Sequence, residues 1–129
     1  MIVIRTTDGQ YIDIDEAAIL LIAGPYPHDV GPHTYVYGAS SAVLVTAERA
    51  DLLVARLGIK PPLAKLTRPD SSAVWVKGAA VTSLRTPLPV EEQAPGEVKA
   101  VLEVGPRHQS VREDLSTTRR IINAHGGNV

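Results

Sequence analysis

The residues best suited to bind a ligand form a basic group near the C-terminus. Arginine donates paired hydrogen bonds to carboxylate and phosphate groups, and the free N–H groups at the start of a helix also attract anions. The group therefore predicts a site for a phosphate, a nucleotide or an acidic protein surface. Because Glu113 and Asp114 lie among these residues, the alternative is a solvated face of mixed charge. The candidate anion site comprises Arg107, His108, Arg112, Thr117, Arg119 and Arg120.

Standard motifs of catalytic and phosphate-binding sites are absent from the sequence. It contains no GxxxxGK(S/T) loop, no HExxH helix and no GxSxG turn. Cysteine is also absent, which excludes disulfides, thiolate metal sites and cysteine nucleophiles. His28 and His33 flank Asp29 in a proline-rich loop, which offers no evident frame to position metal ligands. We therefore expect a non-enzymatic protein without a metal site or a cofactor.

Carboxylates and aromatic residues mark the outer faces of the predicted strands. Asp13 and Asp15 alternate with isoleucine, which is typical of the polar face of an exposed strand. Alternation places Trp75 on the face opposite Val74 and Val76, and hence toward solvent. Outward aromatic residues indicate a surface covered by another part of the chain or by another subunit, so self-association is expected. The candidate interface comprises Tyr11, Tyr35, Tyr37 and Trp75.

The charge of the chain is small but unevenly distributed. The formal net charge is −1 at pH 7, which argues against general binding to DNA. The first half (residues 1–58) carries three basic and seven acidic side chains, a charge of −4. The second half (residues 59–129) carries ten basic and seven acidic side chains, a charge of +3. This difference reflects either complementary docking, within the chain or between subunits, or simple variation on solvated faces.

The sequence gives no sign of a membrane partner. No apolar run approaches the roughly 18 residues needed to span a bilayer, and the start MIVIRTTDG lacks the pattern of a secretion signal. We therefore expect a cytoplasmic protein.

The elements that position these residues follow an internal repeat. Residues 11–27 align with residues 73–89 at a spacing of 62 positions, and the later segments align at a spacing of 68. Each unit is predicted to contain a hairpin, an apolar strand over residues 17–23 or 79–85, a second hairpin and a helix. The first helix is predicted over residues 47–57 with Thr46 as N-cap, and the second over residues 115–124 with Asp114 as N-cap. The matched pairs include Ile12 and Val74, Ile14 and Val76, Pro25 and Pro87, Thr46 and Asp114, and Gly58 and Gly126.

This order predicts an α+β fold built from two tandem antiparallel β-rich units related by a pseudo-two-fold axis. The boundaries are residues 1–58 for the first repeat, 59–63 for a proline-rich linker and 64–129 for the second repeat. A unit of about 60 residues buries too little surface to be robust alone, so the two units should share a core.

The same pattern of residues resembles a known family. Asp8 and Gly9 form a hairpin turn between apolar strands, and they precede the run 17–22 and the helix 47–57. In this order the unit resembles the small flagellum-associated FlbD-type family, and its strand order is also similar to LytTR-type DNA-binding domains. The first resemblance implies a regulatory or interaction role without catalytic residues, and the second implies DNA binding by basic residues on late strands and loops.

The sequence therefore favours a binding or regulatory interaction protein that acts as an oligomer. One alternative is a protein that holds a small anionic, nucleotide-like ligand between repeats or subunits. A further alternative is a LytTR-like DNA-binding regulator.

Overall fold

The computed structural model describes residues 2–25, 33–58, 62–91 and 98–129. The strands are β1 (Ile2–Arg5), β2 (Tyr11–Ile14), β3 (Leu21–Ala23), β4 (Thr34–Tyr37), β5 (Leu44–Thr46), β6 (Ala64–Thr67), β7 (Ala73–Val76), β8 (Val81–Arg85), β9 (Ala100–Val104) and β10 (Arg107–Val111). The helices are α1 (Ala50–Arg56) and α2 (Leu115–Ala124), and short 3₁₀ helices span Glu16–Ala18 and Gly78–Ala80. All strand pairs among these residues are antiparallel, so the predicted α+β class is confirmed.

The order of elements in the first half recurs in the second half. Each half has a hairpin, a 3₁₀ helix, one strand, a second hairpin and a final α-helix. In the first hairpin, Gly9 has a φ of +90°, the left-handed conformation that an Asp-Gly turn requires. The alternation of β2 is also as predicted, because Ile14 is buried whereas Tyr11 and Asp13 are exposed.

A central five-stranded sheet contains strands from both halves. Its order is β5-β4-β3-β7-β6, and the two halves meet where β3 pairs with β7. The register of this junction aligns Leu21 with Val76, Ile22 with Trp75 and Ala23 with Val74. The halves therefore share one sheet, because β3 and β7 each complete the hydrogen bonding of the other.

Each face of the central sheet packs against a separate apolar core. On one face, Ile22 and Trp75 belong to the first core, which includes residues of the β1–β2 hairpin and of α1, such as Ile14 and Leu53.

The other face of the sheet belongs to the second core. It packs against residues of the β8–β10 sheet and of α2, such as Leu102 and Ile122, and the sheet residues on this face are Leu21, Ala23, Val74 and Val76. The molecule is therefore three layers deep, with the shared sheet in the middle.

The apolar run at residues 17–23 was predicted as one strand, and this prediction is wrong in part. Residues Glu16–Ala18 form a 3₁₀ helix instead, because the Asp15 carboxylate accepts a hydrogen bond from the Ala17 N–H at 3.0 Å. Only Leu21–Ala23 is strand. The equivalent run is divided in the same way, with a 3₁₀ helix at Gly78–Ala80 and the strand β8 after it.

The predicted helix starts were right in one case and wrong in the other. The start of α2 is as expected, since Asp114 Oδ1 accepts from the Thr117 N–H at 2.8 Å. In contrast, α1 begins at Ala50 rather than Ala47. Thr46 belongs to β5, where it pairs with Thr34, and its hydroxyl accepts a hydrogen bond from Glu48 N–H at 3.2 Å. It therefore stabilises the turn that precedes the helix.

A two-fold axis between the halves would require a second strand pairing that the described part of the chain does not contain. A two-fold axis that pairs β3 with β7 would also pair β8 with β2. Among the described strands, β2 pairs with β1 and β8 pairs with β9, and no ladder joins β2 to β8. The predicted pseudo-two-fold symmetry is therefore not seen. No helix within the described ranges is long and apolar enough to cross a membrane.

Candidate functional site

A cleft of about 500 Å³ opens where the two halves meet. It lies on the Trp75 face of the central sheet, between the start of α1 and the β6–β7 hairpin. Strand β7 contributes Trp75, its neighbour β6 contributes Lys65, and α1 contributes the residues at its N-terminus. We name this feature the seam cleft, and its lining comprises Gly24, Pro25, Thr34, Arg49, Ala50, Asp51, Lys65, Ser72, Ala73 and Trp75.

The indole of Trp75 is largely buried in the wall of the seam cleft. Trp75 lies opposite both Ile22 and Lys65 in the sheet, so its side chain packs into the first core and is only 8% exposed. The Lys65 ammonium lies 5.6 Å from the centre of the indole ring, which is the geometry of a cation–π contact. The cleft thus presents part of an aromatic ring and a cation side by side.

The rim of the seam cleft carries a small excess of positive charge. Arg49 Nη2 lies 2.9 Å from Asp51 Oδ2, and both side chains are more than half exposed. Because exposed ion pairs are worth little, Arg49 can exchange this partner for a bound anion at small cost. Lys65 is exposed as well. Among the described residues that line the cleft, one is acidic and two are basic, which gives a formal charge of +1.

A buried arginine fixes one end of the seam cleft. Arg68 is 4% exposed, and its Nη2 donates to the carbonyl oxygens of Gly24 at 2.9 Å and Pro25 at 3.2 Å. Its Nε donates to Ser72 Oγ at 2.5 Å. Burial opposes ionisation of the neighbouring Asp70, but hydrogen bonds from Ser72 and the charge of Arg68 outweigh it and lower the pKa of Asp70. Arg68 therefore joins β6 of the second half to the end of β3.

Arg107 and Arg112 of the predicted anion site do not converge. Arg107 begins β10 and Arg112 directly follows its last residue, so the two lie about 16 Å apart at the spacing of an extended strand. The Arg107 guanidinium lies 3.9 Å from the centre of the Tyr37 ring. Arg112 Nη1 donates to Ser71 Oγ at 2.6 Å instead. The two arginines therefore contact different parts of the chain.

Two further residues of that predicted site have partners within the chain. The Thr117 N–H binds the Asp114 carboxylate, and this hydrogen bond lowers the pKa of Asp114. The start of α2 thus already holds an anionic group of the chain itself. His108 Nε2 lies 3.2 Å from Glu103 Oε1, and Arg119 and Arg120 are exposed on α2.

The four aromatic residues of the predicted interface lie on three different surfaces. Tyr11 is 71% exposed on the first hairpin, where the Arg5 guanidinium lies 5.7 Å from its ring centre. Tyr35 and Tyr37 are half-buried on the second face of the central sheet. Trp75 does not face solvent, because β7 is an interior strand and the first core covers that face; of the two predicted coverings, another part of the chain is the one present. Of the four, Tyr11 offers the most surface to a partner.

Among the described histidines, His33, His108 and His125, none lines the seam cleft. His33 is half-buried just before β4, whereas His28 and Asp29 lie outside the described residues. His125 follows α2, and its Nδ1 lies 2.7 Å from the Ile121 carbonyl oxygen. Within the described ranges, no group of three or more His, Cys, Asp or Glu side chains could hold a metal ion.

Sequence reasoning missed Lys65 and Arg49 as site residues. Lys65 alternates with the apolar Ala64 and Leu66 and so reads as an ordinary outward side chain. Its role depends on the ladder that places it opposite Trp75. Arg49 was placed inside the first helix, and no local signal connects it with β7.

Comparisons with known proteins give no further assignment. No family model matches this chain, and no curated protein or solved structure matches it. The resemblances to FlbD-type and LytTR-type units therefore stay predictions.

Proposed function

We propose that this protein is a non-enzymatic binding protein whose ligand occupies the seam cleft. The observation that carries the proposal is the placement of Trp75 in a cleft between the halves, with Lys65 beside its ring and Arg49 on the rim. A volume of about 500 Å³ lies within the usual range for small-molecule sites. This placement agrees with the alternative in which an anionic ligand lies between the repeats.

The chemistry of the lining selects a small molecule with both a flat ring and an anionic group. Ala50, Ala73 and the accessible part of Trp75 provide apolar contacts for a ring. Lys65 and Arg49 provide charge-assisted hydrogen bonds to a phosphate or carboxylate. A nucleoside monophosphate has both parts and is the first ligand class to test.

The fluorescence of Trp75 provides a direct test, because it is the single tryptophan of the chain. Titration with a nucleoside monophosphate should change this fluorescence, whereas the same concentration of inorganic phosphate should change it much less. Lys65→Ala should weaken binding by about tenfold, the loss of one charge-assisted contact worth about 1.4 kcal/mol.

A matched control separates this site from the dispersed basic residues. Arg120→Ala removes an exposed cation on α2 and should leave the affinity unchanged. If no aromatic anion alters the fluorescence, or if Lys65→Ala and Arg120→Ala lose affinity equally, the seam cleft is not the ligand site.

We also propose that the protein works as an oligomer, and one specific observation favours this. On the outer face of the first hairpin, Val3 and Tyr11 are exposed by 46% and 71%. Large exposed apolar side chains on one face are typical of protein contact surfaces. A regulatory role through such protein contacts is part of the same proposal. DNA binding is not favoured, because the basic residues that it requires are dispersed between the two ends of β10 and α2.

A further inference from the structure

The junction inside the central sheet provides a template for a contact between chains. There β3 and β7 are joined by backbone hydrogen bonds that extend beyond the ladder. Lys77 N donates to Leu20 O at 2.9 Å, and Gly24 N donates to Ala73 O at 3.2 Å. This junction joins the third strand of one half to the second strand of the other.

Two strands outside the central sheet correspond to the two strands of this junction. At the spacing of 62 positions, β8 corresponds to β3, and β2 corresponds to β7. The correspondence extends to an irregularity at the start of the strand. In the first half, Leu20 N donates to Tyr37 O at 2.9 Å although Leu21 is the ladder partner of Tyr37, so two residues lie opposite one. In the second half, the register of the β8–β9 ladder shifts between Val81 and Ser83.

Both corresponding strands have a free edge among the described residues. β2 pairs with β1 alone, and β8 pairs with β9 alone. Thr6 N donates to Gln10 O at 2.8 Å, so residues 6 and 10 form a hydrogen-bonded pair. Because such pairs alternate along an antiparallel ladder, the backbone groups of Tyr11 and Asp13 point away from β1. In β7, the backbone groups of the corresponding residues 73 and 75 point away from β6 and bind β3.

We infer that β8 of one chain pairs with β2 of the next, which repeats between chains the junction found within the chain. This pairing depends on the self-association proposed above and specifies which two strand edges form the contact. Carried over at the same spacing, the register places Tyr11 opposite Thr86 of the next chain, Asp13 opposite Leu84 and Asp15 opposite Thr82.

The charges of the two halves identify the occupant of these edges as a second copy of this chain. The first half has a formal charge of −4 and the second half a charge of +3. Pairing of β8 with β2 brings a basic half against an acidic half at every contact, whereas pairing β2 with β2 would bring two acidic halves together. Opposite charges on the two surfaces favour association and orient it.

The side chains at these edges suit a reversible contact between subunits. In the internal junction, Ile22 and Trp75 face each other and are buried. The corresponding residues are Leu84 and Asp13, and interfaces between subunits are more polar than cores. The contact is head to tail, so it closes into a ring or continues as a filament.

The test uses Tyr11 and Thr86, two exposed residues that the register places opposite each other. The mass of the full chain is measured by light scattering after size exclusion over a range of concentrations. Tyr11→Glu with Thr86→Glu, and Tyr11→Lys with Thr86→Lys, place like charges together and should lower the assembled fraction at least tenfold. Tyr11→Lys with Thr86→Glu places opposite charges together and should assemble like the original chain.

A second measurement does not depend on charge. The chain has no cysteine, so Tyr11→Cys and Thr86→Cys can be introduced into separate samples. After mixing and mild oxidation, a disulfide should join the two variants, because paired residues of a ladder lie within disulfide reach. Circular dichroism of each variant verifies that it is folded.

The outcomes distinguish this inference from the proposal on which it depends. If the original chain is monomeric at every concentration, both self-association and the β8–β2 contact are wrong. If it assembles but the three double variants behave alike and the cysteine variants do not cross-link, self-association stands and another surface causes it.

Discussion

Arg68 shows how one side chain can connect the two halves. It belongs to the second half, yet its guanidinium binds the carbonyl oxygens of Gly24 and Pro25 in the first half. The planar fork of arginine lets Nη2 bind both carbonyls while Nε binds Ser72 Oγ. The shape of the seam cleft thus depends on a residue that its ligand need not touch.

Arg68→Lys should therefore destabilise the protein although it preserves the charge. The shorter ammonium cannot replace all of the hydrogen bonds, so buried carbonyl groups lose a donor. We expect a loss of about 1–3 kcal/mol in the free energy of unfolding, measured with a chemical denaturant. Arg119→Lys on the exposed side of α2 is the matched control, with an expected change within about 0.5 kcal/mol. Equal effects at the two positions would show that the buried contacts of Arg68 contribute little.

At the scale of elements, the two α-helices begin in physically different ways. The N-cap of α2 is Asp114, whose carboxylate binds the Thr117 N–H. The N-cap of α1 is Arg49, which makes no such side-chain hydrogen bond. Helix α1 spans seven residues, and a helix of that length depends on packing for its stability. Leu53 provides this packing, because it is fully buried in the first core.

Removal of the Asp114 cap should therefore matter, and its effect should depend on pH. Asp114→Ala should lower the melting temperature by about 3–5 °C at neutral pH, whereas Arg49→Ala should change it by less. Because folding lowers the pKa of Asp114, the ionised cap stabilises the protein above the ordinary pKa of 3.8. This contribution is lost as the pH falls through the lowered pKa.

Melting curves in acid check the sign of this prediction. The difference between the original chain and Asp114→Ala should shrink as the pH is lowered from 7 toward the acid limit of folding. A difference that stays constant or grows would show that ionisation of Asp114 does not stabilise α2.

At the scale of the whole molecule, the halves depend on each other for both cores. Trp75 and Leu63 of the second half belong to the first core. Leu21 and Ala23 of the first half belong to the second core. A cut between the halves would also leave β3 and β7 without the hydrogen bonds that they exchange.

Neither half should therefore fold alone. Fragments of residues 1–58 and 59–129, produced separately, should show little native circular dichroism, because each exposes apolar surface and a strand edge. After mixing, they should regain the spectrum of the whole chain. If either fragment folds cooperatively alone, the shared sheet is an association of independent domains.

The sequence by itself determined the local features of this protein. The Asp8-Gly9 turn, the alternation of β2 and the Asp114 cap each depend on residues close together in the chain, so local rules predict them. The order of elements followed from the same rules. The boundary of α1 was missed because Thr46 is held by its pairing with Thr34, a contact between separate strands.

The tertiary structure decided which strands meet, and therefore which residues share a site. Alternation of apolar and polar residues predicts the two faces of a strand, but it does not predict which part of the chain covers each face. Pairing of β3 with β7 joined the halves beside Trp75, so that Arg49 of the first half lines the same cleft, whereas the β6–β7 hairpin placed Lys65 opposite Trp75. The length of β10 separated Arg107 from Arg112, which are close in sequence. The candidate site depends on contacts between the halves, and these long-range contacts have no local signal in the sequence.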